Sequence, residues 1–154
     1  MHQAHTDSSP TGVGLKVLTA AAILTALIAL PGLALAKSPA AARETIAPAF
    51  QHAIPNIPGK SIIAVVVSYP PGVKTPPHRH AGSAFIVGYV LSGSIRSQVD
   101  DGEARVFHAG ESFSEAPGAH HTMSENASAT KPAKLLAIFV VDTDAKDLTT
   151  IDQP

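Results

Sequence analysis

From Gly59 onward no segment carries a convincing helical period; short β-branched runs alternate instead with turns built on Gly and Pro. The run Ser61-Ile-Ile-Ala-Val-Val-Val-Ser-Tyr69, bounded by Gly59 and Pro70, predicts a strand. Ala84–Leu91 and Ser94–Val99 follow, joined through Ser92-Gly93 as a tight hairpin. After the turn Asp100-Asp101-Gly102 come Arg105–His108, the turn Ala109-Gly110, Ser112–Glu115, His120–Ser124 and Lys134–Val141. Many short strands at near-regular spacing confine the chain to an all-β fold, a small barrel or sandwich, expected over residues 60–142.

Composition narrows what such a domain can do. The 154 residues include no cysteine, which removes thiol catalysis, disulfides and zinc-finger ligation. A net charge of −1 gives no electrostatic case for nucleic acid or an anionic membrane surface. Aromatics make up 5% and there are 13 prolines, which suits a turn-rich β protein better than a helical bundle.

The flanks read differently from the domain. Val17–Leu30 is apolar apart from Thr19 and Thr25, Pro31-Gly32 breaks it, and Leu33-Ala34-Leu35-Ala36-Lys37 follows. Ala34 and Ala36 form the small-x-small pattern of a cleavage site, so residues 1–36 are expected to be a signal peptide cut between Ala36 and Lys37. That predicts a periplasmic or secreted protein with no stable membrane association after cleavage. The alternative is an uncleaved anchor, because Val17–Ala36 approaches the ~20 residues that span a bilayer. Residues 37–59 are Ala- and Pro-rich and read as a lead-in. A short helix over Ala40–Ile46 is allowed there, and Pro48, Pro55 and Pro58 forbid a long one. Residues 143–154 read as a polar C-terminal tail.

The chemistry concentrates in Pro76-Pro77-His78-Arg79-His80. Alternate residues of an extended strand share a face, so His78 and His80 aim two imidazoles at one point, and Pro77 biases Pro76 toward extended geometry. Two same-face imidazoles suit a divalent transition metal if a third ligand arrives from elsewhere.

Gly72, five residues and then His78-Arg79-His80 resembles the first motif of the cupin superfamily, G-x5-H-x-H-x3,4-E-x6-G. Gly110-Glu-Ser-Phe-Ser-Glu-Ala-Pro-Gly-Ala-His-His121 resembles its second, G-x5-P-x-G-x2-H-x3-N, with Pro117 and Asn126 each one place late. The resemblance covers Ser61 to about Val141. It implies a small single-domain cupin, a jelly-roll-like barrel (double-stranded β-helix) with a metal at its mouth held by His78, His80 and His121. His120 adjoins His121 and is the alternative, since only one of the two faces inward on a strand.

The departures are specific. The first-motif Glu falls at Ala84 or Phe85, neither of which binds a metal. Gly93 is one or two residues late, which allows a bulge in the strand that holds Gly88. A three-His set suits Fe, Zn, Ni or Cu and suits Mn or Mg poorly without a hard carboxylate. Gln98 is the candidate fourth ligand. It shares a strand face with Arg96, a candidate clamp for an anionic substrate, and that face is either pocket lining or ordinary solvent face. Glu115 is the other replacement carboxylate or else a surface turn residue; Tyr89 is a pocket-wall donor or a core aromatic; His52 and His108 read as surface or rim histidines.

The resemblance implies dioxygenation of a small oxygen-bearing substrate, phenolic or carboxylate. The alternatives are a metal-assisted isomerase or lyase and a non-catalytic ligand- or metal-binding cupin, and no catalytic residue is assigned. The expected partner is a small molecule, with a homodimer as the candidate assembly.

Overall fold

The computed structural model of the chain describes residues 42–153, and the expected leader with its Ala36–Lys37 junction lies outside them. The described residues form strands and turns without a helix, so none among them is long and apolar enough to cross a membrane. The strands are β1 (Thr45–Ala53), β2 (Lys60–Tyr69), β3 (Lys74–Thr75), β4 (His78–His80), β5 (Phe85–Ser92), β6 (Ser94–Val99), β7 (Arg105–His108), β8 (Ser112–Glu115), β9 (His120–Asn126), β10 (Ala133–Asp142) and β11 (Thr149–Ile151). One sheet runs β1-β2-β10-β5-β8, the other β11-β4-β9-β6-β7 with β3 also paired to β9.

Alternation along the strands decides what lies between the sheets. Val67, Tyr69, Val90 and Leu135 of the first sheet pack with Ile95 of the second. Ile86, Phe139 and Val141 build a second cluster with Ala84 and Ala137. Complete burial of Ile86, Ile95, Val90 and Val141 contributes roughly 1.5–3 kcal/mol apiece.

Two glycines are required by geometry. Gly93 turns the β5–β6 hairpin at φ +72°, and a Cβ there would stand 2.6 Å from the Pro132 carbonyl oxygen. Gly88 faces inward on β5, where a Cβ would sit 2.5 Å from Cζ of Phe113. The extra residue suggested by the late Gly93 is a bulge at Leu91, because Lys134 pairs with Ser92 and Leu135 with Val90.

Three stretches differ from the sequence reading. The lead-in carries β1, not a short helix: it pairs antiparallel with β2, and Pro48 is accommodated because β1 is an edge strand with a register shift between Pro48 and Phe50. The proline-rich approach to His78 contains β3, which pairs with Glu125 and Ser124. The polar tail contributes β11, bonded to β4 with Thr149 opposite His80 and Ile151 opposite His78.

Candidate metal centre

His78 on β4 lies directly opposite His121 on β9, so strand register alone brings these two imidazoles together. His80 follows on the same face of β4. One ligand atom from each of His78, His80 and His121 lies within 4.8 Å of the others, an arrangement able to hold a metal ion. His78 and His121 are buried, at 5% and 3% exposure.

Each ring is oriented by a second contact. Nδ1 of His78 donates to the Pro76 carbonyl at 2.8 Å, which is what the extended Pro76-Pro77 geometry provides. Nδ1 of His80 donates to the Leu148 carbonyl and to Thr149 Oγ1, both at 3.1 Å. A carbonyl only accepts, so both Nδ1 atoms carry hydrogen and both Nε2 atoms present lone pairs. Burial holds His78 below the usual imidazole value despite its bond to Pro76. Burial likewise lowers His80 against the opposing pull of Glu115. Both rings are therefore neutral and ligand-competent at neutral pH. Ser97 Oγ, on the inward face of β6, lies 2.8 Å from Nε2 of His121, and the Phe113 ring stands edge-on to His121 at 5.7 Å.

A carboxylate reaches the histidines from β8. Glu115, 3% exposed, sits with Oε1 3.2 Å from Nδ1 of His121 and Oε2 3.4 Å from Nε2 of His80. Burial opposes its charge, but the hydrogen bond from His121 and the fields of His121, His80 and His78 outweigh that and hold the carboxyl below its usual value. Among the described residues Oε2 has no hydrogen-bond partner. A buried carboxylate oxygen thus faces an imidazole lone pair across 3.4 Å, two acceptors set against each other. A cation seated there would satisfy both, so the donor set fits a metal.

The remaining candidates fall elsewhere. On β6 the inward residues are Ile95 and Ser97, which puts Arg96 and Gln98 on the other face. Arg96 is spent on Glu125 at 2.7 Å and Gln98 donates to the Gly102 carbonyl at 2.9 Å. Neither lines the cavity, because burial of Ile95 fixes the strand's orientation. Tyr89 is 40% exposed on the outer face of β5, since Ile86, Gly88 and Val90 take the inner one. His120 points away and pairs with Asp152 at 2.7 Å. His52 and His108 are exposed. Ala84 is fully buried and Phe85 half exposed, so the expected Glu position feeds core and surface. Asn126 of the second motif is structural: its amide donates to the carbonyls of Tyr69, Pro70 and Lys131, and its Oδ1 accepts from Ser128 N.

A cavity of about 240 Å³ opens over the histidines. Its walls are Val65, Val67, Ile86, Leu135, Ala137 and Phe139, with Leu148 and Ile46 also lining it. Sequence reasoning missed Ser97, Leu148 and Thr149 as supports and left Glu115 between a replacement carboxylate and a surface turn residue. The signal for Glu115 was present: it shares a strand face with Phe113 in Ser112-Phe113-Ser114-Glu115.

A cupin domain model matches residues 65–139. No curated protein sequence matches the chain. Among solved structures, an uncharacterized conserved protein with a double-stranded β-helix domain from Klebsiella pneumoniae is 16% identical, with a TM-score of 0.57 over 75% of this chain and 90% of that one. The DMSP lyase DddQ from Ruegeria pomeroyi is 20% identical, with a TM-score of 0.51 over 60% of this chain and 44% of that one. An oxalate oxidase in complex with glycolate is 21% identical, with a TM-score of 0.54 over 70% and 54%. At these identities the likenesses speak for the fold. The two motifs, the double sheet that carries them and the domain match make this chain a member of the cupin superfamily.

Proposed function

We propose that the protein is a metal-dependent cupin enzyme, in which His78, His80, His121 and Glu115 hold one divalent transition-metal ion beneath a small, mostly apolar cavity. The observation that carries this is Glu115 Oε2, buried without a hydrogen-bond partner against the Nε2 lone pair of His80. Three neutral imidazoles and one carboxylate suit Fe, Zn, Ni or Cu, and the carboxylate brings Mn back into the set. When bound, the ion would supply Lewis-acid activation, or redox chemistry if it is Fe, Mn or Cu, to a small oxygen-bearing substrate.

The chain's own residues do the rest. Pro76, Leu148 and Thr149 hold two imidazoles with Nε2 toward the centre, Ser97 can accept a proton carried on Nε2 of His121, the tautomer that would free Nδ1 beside Glu115 for the ion, and the aliphatic walls keep water away. Glu115 is also a buried carboxylate at the site, able to take a proton from a substrate. Dioxygenation is the leading reaction class, with lyase or isomerase chemistry next; the fold is shared with an oxidase and a lyase and does not choose between them. The test is metal analysis of the purified protein, followed by oxygen uptake with phenolic and carboxylate substrates. About one equivalent of metal, lost in His80→Ala and Glu115→Gln, supports the site; a metal content unmoved by both substitutions rules it out. We further infer export, supported by the broken apolar run and the Ala34-x-Ala36 pattern.

A further inference from the structure

Three hydroxyls meet on the cavity wall away from the histidines. Tyr69 Oη lies 2.9 Å from Thr75 Oγ1 and 2.9 Å from Ser124 Oγ, and all three residues line the cavity. Thr75 precedes His78 by three residues and Ser124 follows His121 by three, so the cluster sits about 10 Å along the sheet from the imidazoles. Three hydroxyls own three protons, and the two bonds among them use two. Whichever way the bonds point, one O–H remains to be donated. Burial raises Tyr69 above the usual phenol value, so its proton stays in place at neutral pH.

The rest of the lining says what the cavity rejects. Among the described residues no lysine or arginine lines it, and its one formal charge is Glu115, at the histidine end. A charged group at the hydroxyl end would be buried against aliphatic walls with no counter-ion, an expensive arrangement. The cavity volume is below the ~300–1,000 Å³ of drug-sized sites and above the ~150 Å³ that admits benzene, so the space is about one substituted ring.

We infer that the substrate is a molecule about one ring in size, with an apolar body, a neutral carbonyl or hydroxyl at the end that meets Tyr69, Thr75 and Ser124, and at most one negative charge, at the histidine end. This rests on the reading of the cavity as the substrate site, and it argues against compact dianions.

Three probes that share one end and differ at the other test it on the zinc-loaded full chain by NMR titration: 4-acetylbenzoate, 4-methylbenzoate and terephthalate. The acetyl compound should bind roughly three- to tenfold more tightly than the methyl compound, the worth of one neutral hydrogen bond, and terephthalate should bind weakest. The near-isosteric Tyr69→Phe/Thr75→Val/Ser124→Ala triple variant removes every partner in the cluster together, which leaves no unpaired group behind. It should erase the acetyl preference. Equal or tighter binding of terephthalate overturns the inference, as does an acetyl preference that survives in the triple variant. The comparison of the three probes on the unsubstituted protein stands even if the variant does not fold. Zinc uptake, titrated first, reads the metal site separately. If it fails, 4-methylacetophenone against p-xylene puts the same question without a charged end.

Discussion

Replacing Glu115 by glutamine should move two quantities in opposite directions. At pH 8 His78 and His80, both held below 6.5, are neutral and give the carboxylate no ion pair. In metal-free protein Oε2 is then a buried acceptor facing the Nε2 lone pair of His80 at 3.4 Å, a contact that costs about 1–3 kcal/mol. A glutamine amide at that place donates to Nε2, while its carbonyl keeps the 3.2 Å contact with His121 Nδ1. The second bond loses its charge assistance, on the order of 1 kcal/mol, so the net gain is about 1 kcal/mol, or about 4 °C in Tm. Zinc binding should go the other way. At zinc 100-fold above Kd the unsubstituted protein gains about 2.7 kcal/mol, and a ~100-fold loss of affinity reduces that to about 0.4 kcal/mol. Thermal unfolding with and without zinc reads both effects. Gln98→Ala is the control: its amide is spent on Gly102, away from the histidines, so it should leave the zinc increment unchanged. A Glu115→Gln protein with a lower metal-free Tm and an undiminished zinc increment would show that the carboxylate braces the fold and does not wait for a cation.

Other outcomes follow from the same contacts. Gly88→Ala forces a Cβ against Phe113 at 2.5 Å, and that ring stands against His121, so the variant should lose about 1–3 kcal/mol in urea unfolding and bind zinc less tightly. A variant as stable as its parent would mean Phe113 yields freely. Deleting residues 147–154 removes β11 and both acceptors of His80 Nδ1; zinc affinity should drop roughly 10- to 100-fold while the strands that form the core persist by circular dichroism. Because His78 and His80 lie below 6.5 in the fold, the unfolded chain binds their protons first as pH falls. Metal-free stability should therefore be full above pH 6.5 and decline below it, with a further loss under pH 4.5 as Glu115 protonates first in the unfolded chain. Unchanged urea midpoints from pH 7.5 to 5 would contradict the first step. N-terminal sequencing of protein recovered from cells should find Lys37 first; an intact Met1 in the membrane fraction would mean an anchor.

What was legible in the sequence was what is local. Ser61–Tyr69, Ser94–Val99, Arg105–His108 and Ser112–Glu115 reappear as strands with ends shifted by at most one residue, because β-branched alternation and Gly/Pro turns act within a few residues. The His78–His80 pair was legible for the same reason, since period two alone puts both rings on one face. Ownership of the space between the sheets was not legible. Arg96 and Gln98 were the attractive pocket residues, yet Ile95 on the opposite face is fully buried and turns them outward. The choice of His121 over His120 needed the register of β4 on β9. The support given to His80 by Leu148 and Thr149 needed a tail strand whose Thr149 pairs with His80 across 69 residues of sequence. Glu115 depended on both facts at once: local alternation put it on the Phe113 face, but only the packing of β8's sheet over the histidine strands made that face the inside. A strand's period fixes which residues share a side, and long-range pairing, whose partners lie tens of residues away, decides which side is buried.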